Sequence, residues 1–314
     1  AGFTKADVIS YYLHIAPVLL PHLADRPVTF TRYPDGVDAP SFFEKHVKKG
    51  APDWLRTIHV PRNAREEASA RGASDGGAAG PGMIEYVAMD DLASLVWAAN
   101  LAAIELHVPM WRSTDDGRFG PFDTMVFDLD PGPPATVVEC CRVAQWLRVE
   151  LDGHGHTVVC PKTSGSKGLQ LYIPLDPPWP ADEVRRLAQE LAKQMERDRP
   201  EVVVAVMRRE LRTGKVFIDW GQNHPVKTTI APYSLRAQPE PTVSTPVTWD
   251  EVDACARSGD PRDLRFLAAD VLERVDRLGD LFVPLAPRAR RRPGRSGGAR
   301  RPAGPEGRGG SKRR

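Results

Sequence analysis

The chain has 314 residues, 41% hydrophobic and 27% charged, a composition that suits a soluble globular protein of one large domain or two modest ones. No apolar run approaches the roughly 18 residues of a membrane span, and no secretory signal is visible, so no membrane partner is expected. The formal net charge of +2 conceals an asymmetry. Eleven of the 43 basic residues but only one of the 41 acids, Glu306, lie from Pro287 onward, which leaves a formal −8 on everything before. A nucleic-acid surface on the body must then be a local patch, whereas the tail is cationic throughout. Cys140, Cys141, Cys160 and Cys255 show no CxxC spacing, as in a reduced cytoplasmic protein without structural zinc.

In chain order, residues 4–23 predict a helix capped by Thr4, with Ile9, Tyr12, Leu13, Ala16 and Leu20 near helical spacing. Alternation over 27–33 predicts a strand that ends in a Tyr-Pro-Asp-Gly turn. Short strands are expected at 57–61 and 83–88, separated by a flexible surface insertion at 62–82 that is rich in Ala, Gly, Ser and charge. Residues 91–105 read as a helix capped by Asp90 or Asp91. A strand at 124–129, a helix at 135–151 and a strand at 156–161 follow. After a glycine turn come a strand at 169–174, a helix at 181–196 and a strand at 215–219. Helices at 249–256 and 264–278 close the body. Elements mixed in this way, without strict alternation, favour a two-layer α/β (α+β) body over a doubly wound parallel sheet. One catalytic domain over 1–284 and a basic disordered tail over 285–314 are expected.

The chemistry concentrates at a few places. In Val-Phe-Asp-Leu-Asp at 126–130, side chains on a strand alternate, so Asp128 and Asp130 share a face, about 7 Å apart at Cα, while Phe127 and Leu129 point to the core. Two carboxylates on one face repel unless a cation lies between them, and hard ions such as Mn²⁺ or Mg²⁺ favour oxygen-only ligands. Pro131-Gly132 ends the strand and puts the pair at a sheet rim. The alternative for a bare pair is a strand end whose acids are solvated. Phosphatases of the haloacid-dehalogenase type carry the same short motif, with Thr or Val two residues after the second Asp; Gly132 stands there, which counts against that class.

Thr-Ser-Gly-Ser-Lys-Gly at 163–168 can turn backbone amides, the Ser164 and Ser166 hydroxyls and the Lys167 ammonium onto a triphosphate. It is not a Walker A loop, because the spacing differs and a strand follows it. Asp219 ends an apolar strand and is a candidate third ligand of a two-metal site. Arg236 is a candidate phosphate clamp. Phe42 and Phe43, in a loop after a Gly/Asp/Pro-rich turn and beside Lys45, can form a stacking platform for bases. His107 is expected just past a helix end.

Together these stretches resemble the polymerase domain of bacterial non-homologous end-joining ligases, a branch of the archaeo-eukaryotic primase superfamily. The matching motifs begin at Arg32, Ser41, Ala103, Val126, Thr163, Gly214 and Thr229, keep their order, and cover roughly residues 2–280. The resemblance implies two small sheets around a cleft flanked by helices, and templated addition of NTP or dNTP, commonly with Mn²⁺, at gapped or broken DNA ends. It implies Asp128, Asp130 and Asp219 as catalytic metal ligands. Ser164, Ser166, Lys167, Gln170, His107 and Arg236 would meet the nucleotide; Lys5, Arg32, Phe42, Phe43 and Lys45 would meet DNA, including a downstream 5′-phosphate. The family's Gly-Leu-His reads Gly-Leu-Gln here, with Gln170 in place of the histidine, a change expected to weaken or shift triphosphate binding. The alternative is therefore a DNA-end binding or synapsis module with lost or weak polymerisation. No KxDG-type adenylation motif is present, so a separate ligase, and Ku, are the expected partners, in the bacterial cytoplasm and associated with the nucleoid.

Overall fold

The structure, a computed structural model, describes residues 2–47, 50–61, 82–114 and 119–287. The insertion expected at 62–82, apart from Gly82, and the tail from residue 288 lie outside them. Helix α1 (Lys5–Leu23) begins where Thr4 and Asp7 form a reciprocal capping box. Strand β1 (Pro27–Arg32) follows, then β2 (Phe42–Glu44), β3 (Thr57–Pro61) and β4 (Met83–Ala88). Helix α2 (Leu92–Asn100) is capped by Asp91 and leads into β5 (Ala103–Val108) and β6 (Trp111–Ser113). The long strand β7 (Phe119–Pro131), helix α3 (Val137–Gly153), β8 (Cys160–Thr163), β9 (Leu169–Trp179) and α4 (Ala181–Asp198) form the middle of the chain. Strands β10 (Val203–Val204), β11 (Val216–Asp219) and β12 (Thr229–Ile230) precede α5 (Trp249–Ser258) and α6 (Ala268–Leu278).

These strands make two six-stranded sheets. The first runs β12-β5-β1-β4-β3, with β2 along the outer half of β1. Its apolar face, with Val28, Phe30 and Leu106, packs on Tyr12, Ile15 and Leu19 of α1 and on Leu95 and Ala98 of α2. The second runs β10-β11-β7-β9-β8, with β6 beside the start of β7. Phe127 and Leu129 of β7 and Leu171 and Ile173 of β9 pack on Val143 and Leu147 of α3, Leu191 of α4 and Val252 of α5. With one face of each sheet committed to helices, the polar side chains stand on the other faces. These are tied together where the Tyr172 and Thr229 hydroxyls meet at 2.7 Å. This is the mixed α/β architecture with two sheets that the sequence predicts.

Beyond Asp219, β11 stops pairing with β7, and Asn223 completes the ladder with its side chain. The Asn223 Oδ1 accepts from the Val126 amide at 2.9 Å, and Nδ2 donates to the Val126 carbonyl at 2.7 Å. Asn223 is fully buried. Its amide supplies the donor and acceptor that a next strand residue would have supplied, so the strand bearing Asp128 keeps its geometry to the sheet rim.

Several expected boundaries change. The helix expected over 91–105 ends at Asn100, and Ala102 adopts a left-handed φ of 60° that reverses the chain into β5. The apolar run Leu-Ala-Ala-Ile fits either period, and pairing with β1 decides it. His107 therefore stands in the middle of a sheet, not beyond a helix end. Likewise Phe42 and Phe43 lie on the short strand β2, not in a loop. The strand expected at 156–161 is shifted to Cys160–Thr163, because the polar residues Lys162 and Thr163 are buried partners of β9. The helix expected over 264–278 starts only at Ala268, since Thr242 bridges to Leu267. At the other end, Leu285 is buried and Arg112 Nη2 donates to its carbonyl, so the packed body runs past 284. Among the described residues no helix is long and apolar enough to cross a membrane.

Asn223→Leu removes the partners of two buried backbone groups at once, and a loss of about 2–4 kcal/mol in folding stability is expected. Urea unfolding of the variant beside the unsubstituted protein measures this, and a loss below about 0.5 kcal/mol contradicts the account of the ladder.

A candidate metal and nucleotide site

One rung of the second sheet carries most of the candidate chemistry. Across β8, β9, β7 and β11, Lys162 pairs with Gln170, Gln170 with Asp128, and Asp128 with Asp219. Residues directly opposite in a ladder point to the same face. The four side chains therefore form one row on the face away from α3, with Asp130 two residues further along β7. Phe127 and Leu129, between and beside the acids, are fully buried on the other face, as the alternation requires.

The electrostatics of the row are unfavourable without a cation. The Asp128 carboxyl is pushed up to about 7, by burial first and then by Asp130 and Asp219, against a hydrogen bond from Gln170 and the charge of Lys162 that pull it down. Burial likewise raises Asp219, whose carboxylate accepts from the Gly221 amide and from Gln222 Nε2, both at 3.0 Å. Asp219 thus caps its own turn. Among the described residues no group of three or more His, Cys, Asp and Glu side chains is arranged to hold a metal ion as it stands. The donor chemistry nonetheless fits a hard divalent ion: carboxylate oxygens on one face, mutually repelling, at the end of a strand.

The glycine turn at 163–168 abuts these acids. Ser164 Oγ accepts from the Ser166 and Gly168 amides at 3.2 and 3.1 Å, so its hydroxyl shapes the turn. Gly165, at φ 69°, lies against Arg236 and the Val243–Ser244 backbone, where an added Cβ would meet Arg236 Cγ at 2.6 Å. Gly168 packs on the Leu129 carbonyl, where a Cβ would come within 2.3 Å, and this close approach brings the turn to the end of β7. Lys167 and Ser166 are exposed, and Lys167 Nζ stands 4.0 Å from Asp130 Oδ1.

On the first sheet, Glu105 organises a second cluster. His107 Nε2 lies 3.2 Å from Glu105 Oε2, and Arg236 Nε lies 3.4 Å from Oε1, which also accepts from the Ala237 amide. Together these partners outweigh burial and hold the Glu105 carboxyl below its usual value. The Phe43 ring packs edge-on to His107 at 6.0 Å, and Phe42 and Phe43 are both more than half exposed. Arg32 sets this platform: it binds the Glu44 carboxylate at 2.6 Å and the Leu101 carbonyl at 2.7 Å, holding β2 on β1. Lys5 stands exposed on the first turn of α1, and Lys45 follows β2.

The structure thus assembles Asp128, Asp130, Asp219, Gln170, Lys167 and the turn around Ser164 into one locality, with Arg236 joining it to His107. Sequence reasoning missed Lys162, Glu105 and Asn223. Lysine, glutamate and asparagine are ordinarily surface residues, and only burial distinguishes these.

A carboxyl raised in the folded state binds its proton more tightly there than in the unfolded chain. Asp128 therefore costs stability that grows as pH rises from about 4 through about 7. Metal-free Asp128→Asn should melt at a higher temperature than the unsubstituted protein at pH 8, with the gap closing towards pH 4. Melting scans across that range check this, and a gap that is constant with pH contradicts it.

Residues 4–282 match the family described as LigD, primase-polymerase domain. The multifunctional non-homologous end joining protein LigD of Mycolicibacterium smegmatis is 44% identical over 288 residues, covering 90% of this chain and 34% of that protein. The multifunctional non-homologous end joining DNA repair protein LigD of Mycobacterium tuberculosis H37Rv is 42% identical over 290 residues, covering 90% and 35%. The chain accordingly spans about a third of the length of these relatives. Among solved structures, the polymerase domain from Mycobacterium tuberculosis ligase D in complex with DNA superposes with a TM-score of 0.79 at 41% identity, covering 91% of this chain and 94% of that one. The rows of residues described above therefore stand on a fold of known kind: the chain belongs to the LigD primase-polymerase domain family.

Proposed function

We propose that this chain is a DNA-repair polymerase, a primase-like nucleotidyltransferase that adds nucleotides or ribonucleotides to gapped or broken DNA ends in non-homologous end joining. The observation that carries the proposal is the placement of Asp128, Asp130 and Asp219 on adjacent strands, with the Ser164–Gly168 turn packed against the strand bearing the pair. The names of the relatives speak of end joining, and that of the similar structure of a polymerase domain with DNA.

Asp128, Asp130 and Asp219 would hold Mn²⁺ or Mg²⁺. Held by these carboxylates, such an ion would supply a lowered pKa to an attacking 3′-hydroxyl and would offset charge on the transferred phosphoryl group. The chain's own groups bind and orient. Lys167 and Ser166, with the amides of the turn, take the triphosphate, and Arg236 beside Gly165 supplies a second cation to it. His107, held by Glu105, faces the same locality from the first sheet. Phe42 and Phe43 offer a rigid stacking surface to a base, which Arg32 fixes through Glu44. Lys5 and Lys45 are proposed contacts to the DNA backbone and its 5′-phosphate. Ku and a separate ligase activity are proposed partners, in the bacterial cytoplasm at the nucleoid.

Gln170 does not argue for a binding module that has lost its chemistry. It is buried in the row and hydrogen-bonded to Lys162, Tyr172 and Asp128.

The test is Mn²⁺-dependent incorporation of NTP and dNTP on a gapped duplex with a 5′-phosphate. Activity is expected, and Asp128→Ala should lower it by more than about a hundredfold, beyond the loss typical of an outer-shell partner. Unchanged incorporation in that variant overturns the site. An inactive protein that gains polymerisation on Gln170→His favours the binding module instead.

A further inference from the structure

Lys162 has no place in the reading so far, and its position is unusual. It is fully buried on β8, at the end of the row that contains the acids. Burial pulls its pKa well below the ordinary lysine value, with Asp128 pulling it back up. A position that needed only packing would carry an aliphatic residue at lower cost.

The hydrogen bonds show what Lys162 does there. Its Nζ donates to Gln170 Oε1 at 2.5 Å and to Ser244 Oγ at 2.6 Å, while Ser244 Oγ donates onward to the Thr163 carbonyl at 3.0 Å. The Tyr172 hydroxyl also donates to Gln170 Oε1, at 3.3 Å. Two donors on one side fix which end of the amide is oxygen, because the flipped amide would oppose its NH₂ to the Lys162 Nζ. The Gln170 NH₂ is then the end left for Asp128, its cross-strand neighbour. A neutral amine has two hydrogens and an ammonium three, so the two donated bonds form in either protonation state.

We propose that Lys162 is a positioning residue for the metal-binding carboxylates: it locks the Gln170 side chain so that its NH₂ donates to Asp128 and holds that carboxylate towards the ion. Gln170 stands where the family resemblance puts a histidine, and Lys162 lies opposite it on β8. The inference rests on the polymerase reading above and names residues that make this chain's version of the site work. A purely structural role for Lys162, tying β8 to residues 242–246 through Ser244, predicts lost stability alone.

Lys162→Met, which keeps the length of the side chain, and Gln170→Leu, which breaks the relay at its other end, separate the two. Two properties are measured: the Mn²⁺ concentration giving half-maximal thermal stabilisation of the protein without DNA or nucleotide, and single-turnover incorporation on gapped DNA. Each variant should raise the first about tenfold and lower the second about ten- to hundredfold, with DNA affinity kept within about twofold. The double variant should be no worse than the poorer single one, because both break one relay. Wild-type Mn²⁺ response and rate in folded Lys162→Met overturn the proposal, as do losses that multiply in the double variant. Should Lys162→Met fail to fold, Gln170→Leu decides, since it leaves the bond from Lys162 to Ser244; an effect below about twofold on both properties overturns the proposal. Asp128→Ala and the unsubstituted protein, run alongside, distinguish the failures. An inactive unsubstituted protein overturns the polymerase reading, and the Mn²⁺ response still decides the relay.

Discussion

The constraint on which the rest depends is electrostatic: three carboxylates are held on one polar sheet face with their strands locked in register. Asp128 faces Asp219 across β7 and β11, with Asp130 next along the strand. Such a row is costly by itself, and the Asp128 carboxyl, raised to about 7, registers that cost. The surrounding residues keep the acids from relaxing apart. Phe127 and Leu129 anchor β7 in the core, Asn223 completes its ladder, and Gln170 and Lys162 close the row from the other side. Preorganised repulsion of this kind is relieved by a hard cation, which links the fold directly to the proposed chemistry.

The second sheet supplies charge to be neutralised, and the first supplies the surfaces that would face nucleotide and DNA. Glu105 gathers His107 and Arg236, and Arg236 in turn lies against Gly165 of the glycine turn at 163–168. Arg32 and Glu44 hold a short strand whose only exposed large side chains are the two phenylalanines. The two halves meet through small polar contacts, such as Tyr172 with Thr229, and leave the acidic row between them.

Much of this was legible in the sequence, and the reasons differ from place to place. Asp128 and Asp130 were readable because strand alternation is strict and Phe127 and Leu129 signal the buried face. The turn at 163–168 was readable as a turn because Gly165 and Gly168 have no side chain to obstruct the close approaches found there. The strand holding His107 was not readable: Leu101 to Leu106 satisfies a helical period as well as an extended one, and only pairing with β1 selects the strand. Lys162 was hidden for a different reason. A lysine beside a glycine turn reads as solvent-facing, and nothing local shows that a hydroxyl group, an amide oxygen and a tyrosine ring surround it. Helix ends with a capping box, at Thr4, Thr136 and Thr248, were placed to within a few residues.

The central claim is that the acids of the row form a metal site. It is tested most directly by anomalous diffraction from crystals of the protein grown with Mn²⁺ and a nucleoside triphosphate. The account predicts a manganese peak between Asp128 and Asp130, within direct coordination distance of a carboxylate oxygen of each, with the triphosphate on the Ser164–Gly168 turn. Manganese bound elsewhere, or no peak at these acids in crystals that hold the triphosphate, contradicts it.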